Sequence, residues 1–490
     1  MAHGPIVNSP HSASIHILDD DSLLHVFYLY RPFILGEDND AEALLLGGGR
    51  WVCGHWWYKL AHVCQRWRNI ILGSSFYLDI FLVCTKDTPV ADMLAHSPPL
   101  PLVIDYIGDI TPPITAEDEE GIILALKQRD RVRRVRLQIP SISLQKLIGT
   151  INEEYPILEY LIVNCEDPMS ILIFPETFQA PHLRHLAVGG LTLPIDSRLL
   201  TAAAGLVTLL LIITRRSTYF NPNTLLHLLS HMPQLETLVI VFLCPIPNRY
   251  MERHLMRTLS MAPVALPNLH RFIFRGVSTY LEELVHQIIA PRLEKLQIDF
   301  FYSQFGHTIP RLQHFINTTE SLRFDTAKCK FSTRRVELEA SLLGEEAEMH
   351  VLSIAVRCMN LGSQVSFMAQ ISNFLNQTFS VVEHLTLEHE VYSLSPDGHD
   401  EVDRNEWRKL LSSFSNLKTL CIAHGLVEGL SRCLQLDDGE LSLELLPELQ
   451  ELTYSGSGNT NDAFTSFIDV RRNVGRPITL VRRGPSPVPT

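Results

Sequence analysis

Leu235-Glu-Thr-Leu-Val-Ile240 is the phrase on which the fold turns. Its last two apolar positions, Leu238 and Ile240, are two residues apart, the period of a strand with one buried face. Leu235 stands three residues earlier, where the chain turns into the strand. The phrase recurs with conservative exchanges at 132–137, 158–163, 183–188, 206–211, 269–274 and 293–298, and again at 382–387, 417–422 and 449–454. The first seven copies start 23 to 34 residues apart. Ground between 299 and 380 is weaker, and the repeat count there stays open.

Between the phrases the spacing turns helical. Apolar residues at 225, 228, 229 and 232 follow Asn221-Pro222, an Asn start with Pro just inside. Segments 280–289, 365–379 and 407–414 share the pattern, 463–474 is helical by spacing, and 478–481 reads as a last strand. Several helical segments run into a Pro before the next phrase, as in Met232-Pro-Gln-Leu235 and Ala290-Pro-Arg-Leu293. One strand and one helix per ~25–30 residues resembles the leucine-rich repeat. The resemblance implies an α/β strand–helix solenoid, a curved parallel sheet with helices on its outer face. The Asn or Cys usual after the strand is mostly absent, with Asn164-Cys165 and Cys244 as near matches. A doubly wound α/β domain alternates strands and helices too, but here no strand leads into a Gly-rich phosphate loop.

Residues 15–85 lack the repeat. Asp19-Asp20-Asp21 precede a helical stripe of Leu23, Leu24, Phe27 and Tyr30, with acidic residues in its first turn. Trp57, Leu60, Cys64, Trp67 and Ile71 make a second stripe. Helices this short need each other, and 80–83, to be stable. These residues resemble an F-box: Leu18, Leu23, Leu24, Phe27, Leu60, Val63, Cys64, Trp67 and Arg68 fall on the family pattern. Asp19 stands where the family has Pro, and an acidic, then Gly-rich insertion at 32–55 separates the halves. The whole is similar to F-box proteins with leucine-rich-repeat-like tails found in mushroom-forming fungi. The alternative is an unrelated helical cap on a solenoid. The expected organisation is a disordered 1–14, a small helical F-box domain at 15–85, a connecting segment and solenoid start at 86–130, the solenoid at 131–482, and a disordered Pro-rich tail at 483–490.

Composition narrows the partners. The chain has 490 residues, 46% apolar and 19% charged, with a net charge of −13. That is globular composition, and the acidic balance argues against nucleic acid and anionic membrane as partners. No signal peptide or membrane span is legible. Nine scattered cysteines without a CxxC read as reduced thiols in the cytoplasm or nucleus. Nucleotide, hydrolase and metalloprotease motifs are absent, so catalytic residues, cofactors and metals are expected to be none. A C-x-H-x6-H-x-C run at Cys53, His55, His62 and Cys64 faces different ways on a helix and reads as core cysteine and surface histidine. Lys127 to Arg136 is a basic cluster, read as outward strand side chains or as an anion-binding edge.

The F-box resemblance implies a Skp adaptor as partner, bridging to a cullin, and a substrate protein held by the repeats. It implies a non-catalytic receptor that acts by proximity, or a repeat scaffold whose box no longer binds the adaptor. Apolar helix faces make such interfaces, so the expected adaptor contacts are Leu18, Leu23, Leu24, Phe27, Trp57, Leu60 and Trp67. The expected substrate contacts are residues interleaved on the strands: Leu210, Ile212, Val239, Val241, Arg271, Ile273 and Arg275. The alternative for these is strands buried on both faces.

Overall fold

The computed structural model describes residues 17–31, 56–86, 88–107, 114–165, 172–194, 197–215, 218–245, 262–301, 309–343, 351–389, 403–435, 445–455 and 463–483. The expected disordered N-terminus, the insertion at 32–55 and the tail beyond Arg483 lie outside these residues. The chain forms two compact units, 1–166 with 177–183, and 167–176 with 184–490.

In the first unit, helices α1 (Asp20–Tyr30), α2 (Trp56–Ala61) and α3 (Gln65–Gly73) precede four parallel strands in chain order. These are β1 (Leu82–Cys84), β2 (Leu102–Ile107), β3 (Val132–Ile139) and β4 (Tyr160–Cys165). The sheet therefore begins well before the first copy of the repeat. β2 is buried on both faces, and the one charge within it, Asp105, is paired. The acidic run at 117–120 starts a helix, Ala116–Leu126, through a capping box between Thr115 and Asp118.

Ion pairs tie the helices to the sheet across residue 85. Asp79 sits in the left-handed region at φ 50°. Its carboxylate accepts from Arg133 Nη1 at 2.6 Å and from Arg134 Nη2 at 3.2 Å, and lies 3.8 Å from Arg31 Nη1 just after α1. Beside it, Arg136 grips Asp105 with two bonds of 2.7 and 2.6 Å.

In the second unit, His185–Gly189, Thr208–Ile213, Thr237–Phe242, Arg271–Gly276 and Lys295–Phe300 are parallel neighbours in chain order. His384–His389, Thr419–Ile422, Glu451–Ser455 and Thr479–Arg483 continue in the same way. The stretch between them departs from the expected plan. Leu352–Val356 lies parallel beside Lys295–Phe300, and Val336–Ser341 then runs antiparallel between it and Thr326–Phe331. One reversed strand thus sits where the repeat fades.

The repeat works through a turn. Leu235 N–H donates to Met232 O at 3.1 Å, and Pro233 pre-sets the first central turn residue. The same bond joins Leu269 to Leu266, Leu293 to Ala290 and Leu449 to Leu446, at 3.2, 3.3 and 3.2 Å. Each strand starts two residues later, so its alternate apolar residues face the helices. Helix Ser278–Val285 packs Tyr280 against Phe242 with ring centroids 4.9 Å apart, and the Tyr280 hydroxyl donates to Phe220 O.

Candidate functional sites

The N-terminal helices carry the first candidate surface. Asp19 caps α1, its carboxylate accepting from Ser22 N–H at 2.7 Å. That bond holds the Asp19 carboxyl below its ordinary range. Arg66 of α3 donates to Asp20 at 2.8 Å and to Leu18 O at 2.7 Å, pinning the start of α1. Arg68 donates to Ala61 O at the end of α2. Inside this frame Phe27 meets Trp67 edge to face, 4.8 Å between centroids.

Leu23, Phe27 and Trp57 are 0%, 1% and 3% exposed. Of the expected adaptor contacts, these three lie in the core: the short helices spend their largest apolar groups on packing against each other. Leu24, Leu60 and Trp67 are half-buried, and Leu18 is exposed. Most of the open apolar side chains here are others; the sequence pattern had marked only Leu18, Tyr30 and Val63 of the open ones. Of the 21 exposed large apolar residues among those described, ten fall within 17–77, including Ile17, Val26, Leu29, Val63 and Tyr77. Val26 and Leu29 turn away from the Leu23–Phe27 side of α1. Helical periodicity finds a buried stripe, and in α1 the apolar residues continue around it, which was the signal available.

The strand face away from the helices is the second candidate. Registers align Leu210, Val239 and Ile273 in one row, and Ile212, Val241, Arg275 and Asp299 in the next. Leu210, Val239 and Ile273 are only 1%, 1% and 5% exposed. That burial matches the alternative of strands covered on both faces. Ile212, Val241, Arg271 and Arg275 are half-buried and remain accessible.

Beyond Arg275 the same face is charged. Arg275 Nε and Arg335 Nη1 lie 3.6 and 3.7 Å from Asp299, and Arg335 Nη2 is 3.2 Å from Glu337. Burial pushes the Asp299 carboxyl above its ordinary range, against the pull of Arg335, Arg275 and Arg357. Lys330 pairs with Glu339 at 2.6 Å and Lys328 with Glu388 at 2.7 Å. Arg335 and Glu337 come from the reversed strand region, which the repeat pattern did not reach.

The basic cluster before 137 is not an anion-binding edge. Arg133, Arg134 and Arg136 spend their charge on Asp79, Glu159 and Asp105. Arg134 also stacks over Tyr160, 4.8 Å from the ring centre. Burial pushes the thiols of Cys84, Cys329 and Cys433 up to about 12, so they stay protonated and unreactive. Cys53 and His55 of the C-x-H run lie outside the described residues, while His62 is exposed and Cys64 half-buried. Among the described residues no group of three or more His, Cys, Asp or Glu is placed to hold a metal. No described helix is long and apolar enough to cross a membrane. Comparison with known protein families finds no match, and comparison with curated proteins finds no relative.

Proposed function

We propose that this chain is the substrate-recognition subunit of a Skp–cullin–F-box ubiquitin ligase in the cytoplasm or nucleus. Its N-terminal helices dock on the Skp adaptor, and its repeat sheet holds a substrate protein. The chain performs no bond chemistry and raises the effective concentration of substrate lysines near the transferred ubiquitin.

The observation that carries this reading is the clustering of exposed apolar side chains on the segment with the F-box-like sequence. Soluble proteins rarely leave such a patch uncovered unless it meets a partner. The adaptor contacts proposed are Leu18, Leu24, Leu60 and Trp67, joined by Val26 and Leu29. Asp19 in place of the family's Pro does not disturb α1, since it serves as the cap.

The test mixes the purified full chain with a fungal Skp adaptor and follows co-elution and affinity. Binding at micromolar concentration or tighter is expected, and Leu29→Asp weakens it while the circular dichroism spectrum is kept. A folded chain that does not bind at that concentration refutes the reading and leaves a repeat scaffold with a non-binding box.

A further inference from the structure

The sheet face of the second unit is open where it is charged. Leu210, Val239 and Ile273 are at most 5% exposed, whereas the side chains of Arg275, Arg335 and Lys330 are 24%, 34% and 33% exposed. Arg275, Arg335 and the exposed Arg357 gather round Asp299 and Glu337. Arg271 and Lys295, paired in register, stand four residues back on the same face. Six cations, counting Lys330, thus meet the three carboxylates of Asp299, Glu337 and Glu339, in a chain whose net charge is −13. A guanidinium carries five N–H donors, so Arg335, which gives one to Glu337 at 3.2 Å, and the half-buried Arg275 can each also meet an incoming acceptor. Ile212 and Val241, half-buried, continue the Arg275–Asp299 row on its other side.

We infer that this patch receives an acidic peptide segment of the substrate protein, its carboxylates on Arg275, Arg335 and Arg357 and a neighbouring apolar side chain on Ile212 and Val241. The inference rests on the substrate-receptor reading and names the chemistry of the segment received. Charge complementarity of this kind selects partners and speeds their encounter. A nucleic-acid strand fits the patch less well. Asp299 and Glu337 interrupt the run of cations, and the residues of these rows include no aromatic ring on which a base would stack.

The test is fluorescence anisotropy on the full chain. The probes are a labelled peptide rich in Asp and Glu with one Leu, the same peptide with Asn and Gln in their place, and a single-stranded oligonucleotide. The acidic peptide is expected to bind best, and more weakly as salt rises. Arg275→Gln with Arg357→Glu weakens it by about tenfold, the loss of roughly 1.4 kcal/mol. Asp299→Asn, which removes a repelling charge, tightens it. The exposed Arg472→Glu leaves it unchanged. Melting curves confirm that each variant is folded. No binding of the acidic peptide, equal binding of the amide peptide, tighter binding of the oligonucleotide, or indifference to the Arg275 and Arg357 changes would each overturn the inference. Adaptor binding measured on the same preparation separates this failure from failure of the receptor reading.

Discussion

Replacing Asp79 by Asn probes the junction that joins the N-terminal helices to the sheet. Asn keeps the volume and tolerates the left-handed backbone at φ 50°, so the change isolates the charge. The Asp79 side chain is 6% exposed, and those of Arg133 and Arg134 are 12% and 8% exposed. Removing one partner of a buried ion pair costs about 3–5 kcal/mol. Arg133 keeps Glu159 at 3.0 Å, which puts the loss at the low end, about 3 kcal/mol. In a unit of this size each kcal/mol lowers the midpoint by roughly 2–4 °C, so a fall of about 6–12 °C is expected. Differential scanning calorimetry of the full chain reads the shift. Hydrogen exchange at β1 and β3 assigns it to the first unit. Asp79→Ala is expected to fall further, by about 1–2 kcal/mol, because Ala is strained at positive φ. An unchanged midpoint for Asp79→Asn, with exchange in β1 and β3 also unchanged, would refute the idea that this carboxylate holds the helices to the sheet.

Val239→Asp is expected to abolish the cooperative unfolding transition, since it puts a charge at a position 1% exposed, whereas the half-buried Val241→Asp stays folded. A folded Val239→Asp chain would show that this row is open. Arg471, 1% exposed, donates to Leu446 O, Pro447 O and Leu449 O at 2.9, 3.2 and 3.0 Å. Arg471→Met leaves those carbonyls without their donor and is expected to cost about 3 kcal/mol in urea denaturation, with no change counting against the role. Asp299 has its carboxyl raised by burial, so the folded state holds the proton more tightly than the unfolded chain. Its contribution to stability is then present at low pH and is lost as pH rises through the folded range. The stability of the wild type relative to Asp299→Asn should therefore grow on acidification from neutral through the carboxylate range. A difference that stays flat with pH contradicts that.

The repeating strands were legible because each copy of the phrase carries its own turn. The leading Leu and the alternating pair after it mark the strand without any distant information, as at Leu235 and Leu293. The reversed strand Val336–Ser341 was not legible, because no leading Leu precedes it and its neighbours are 352–356 and 326–331 rather than a repeat before and after. The early strand β2 escaped for another reason: covered on both faces, it shows no alternation. The surfaces were harder still. In α1 the residues Leu23 and Leu29 are equally apolar, and only packing against α3 buries one and leaves the other 70% exposed. The partners of Arg133 and Arg134 at Asp79 are 54 and 55 residues away in sequence, so the basic cluster looked free.

Hydrogen exchange of the full chain with and without a Skp adaptor tests the central proposal most directly. Protection is expected on α1 around Val26 and Leu29, and on the segment from Tyr58 to Val63, with the strands of the second unit unchanged. Protection confined to those strands, with the N-terminal helices exchanging as in the free chain, would contradict it.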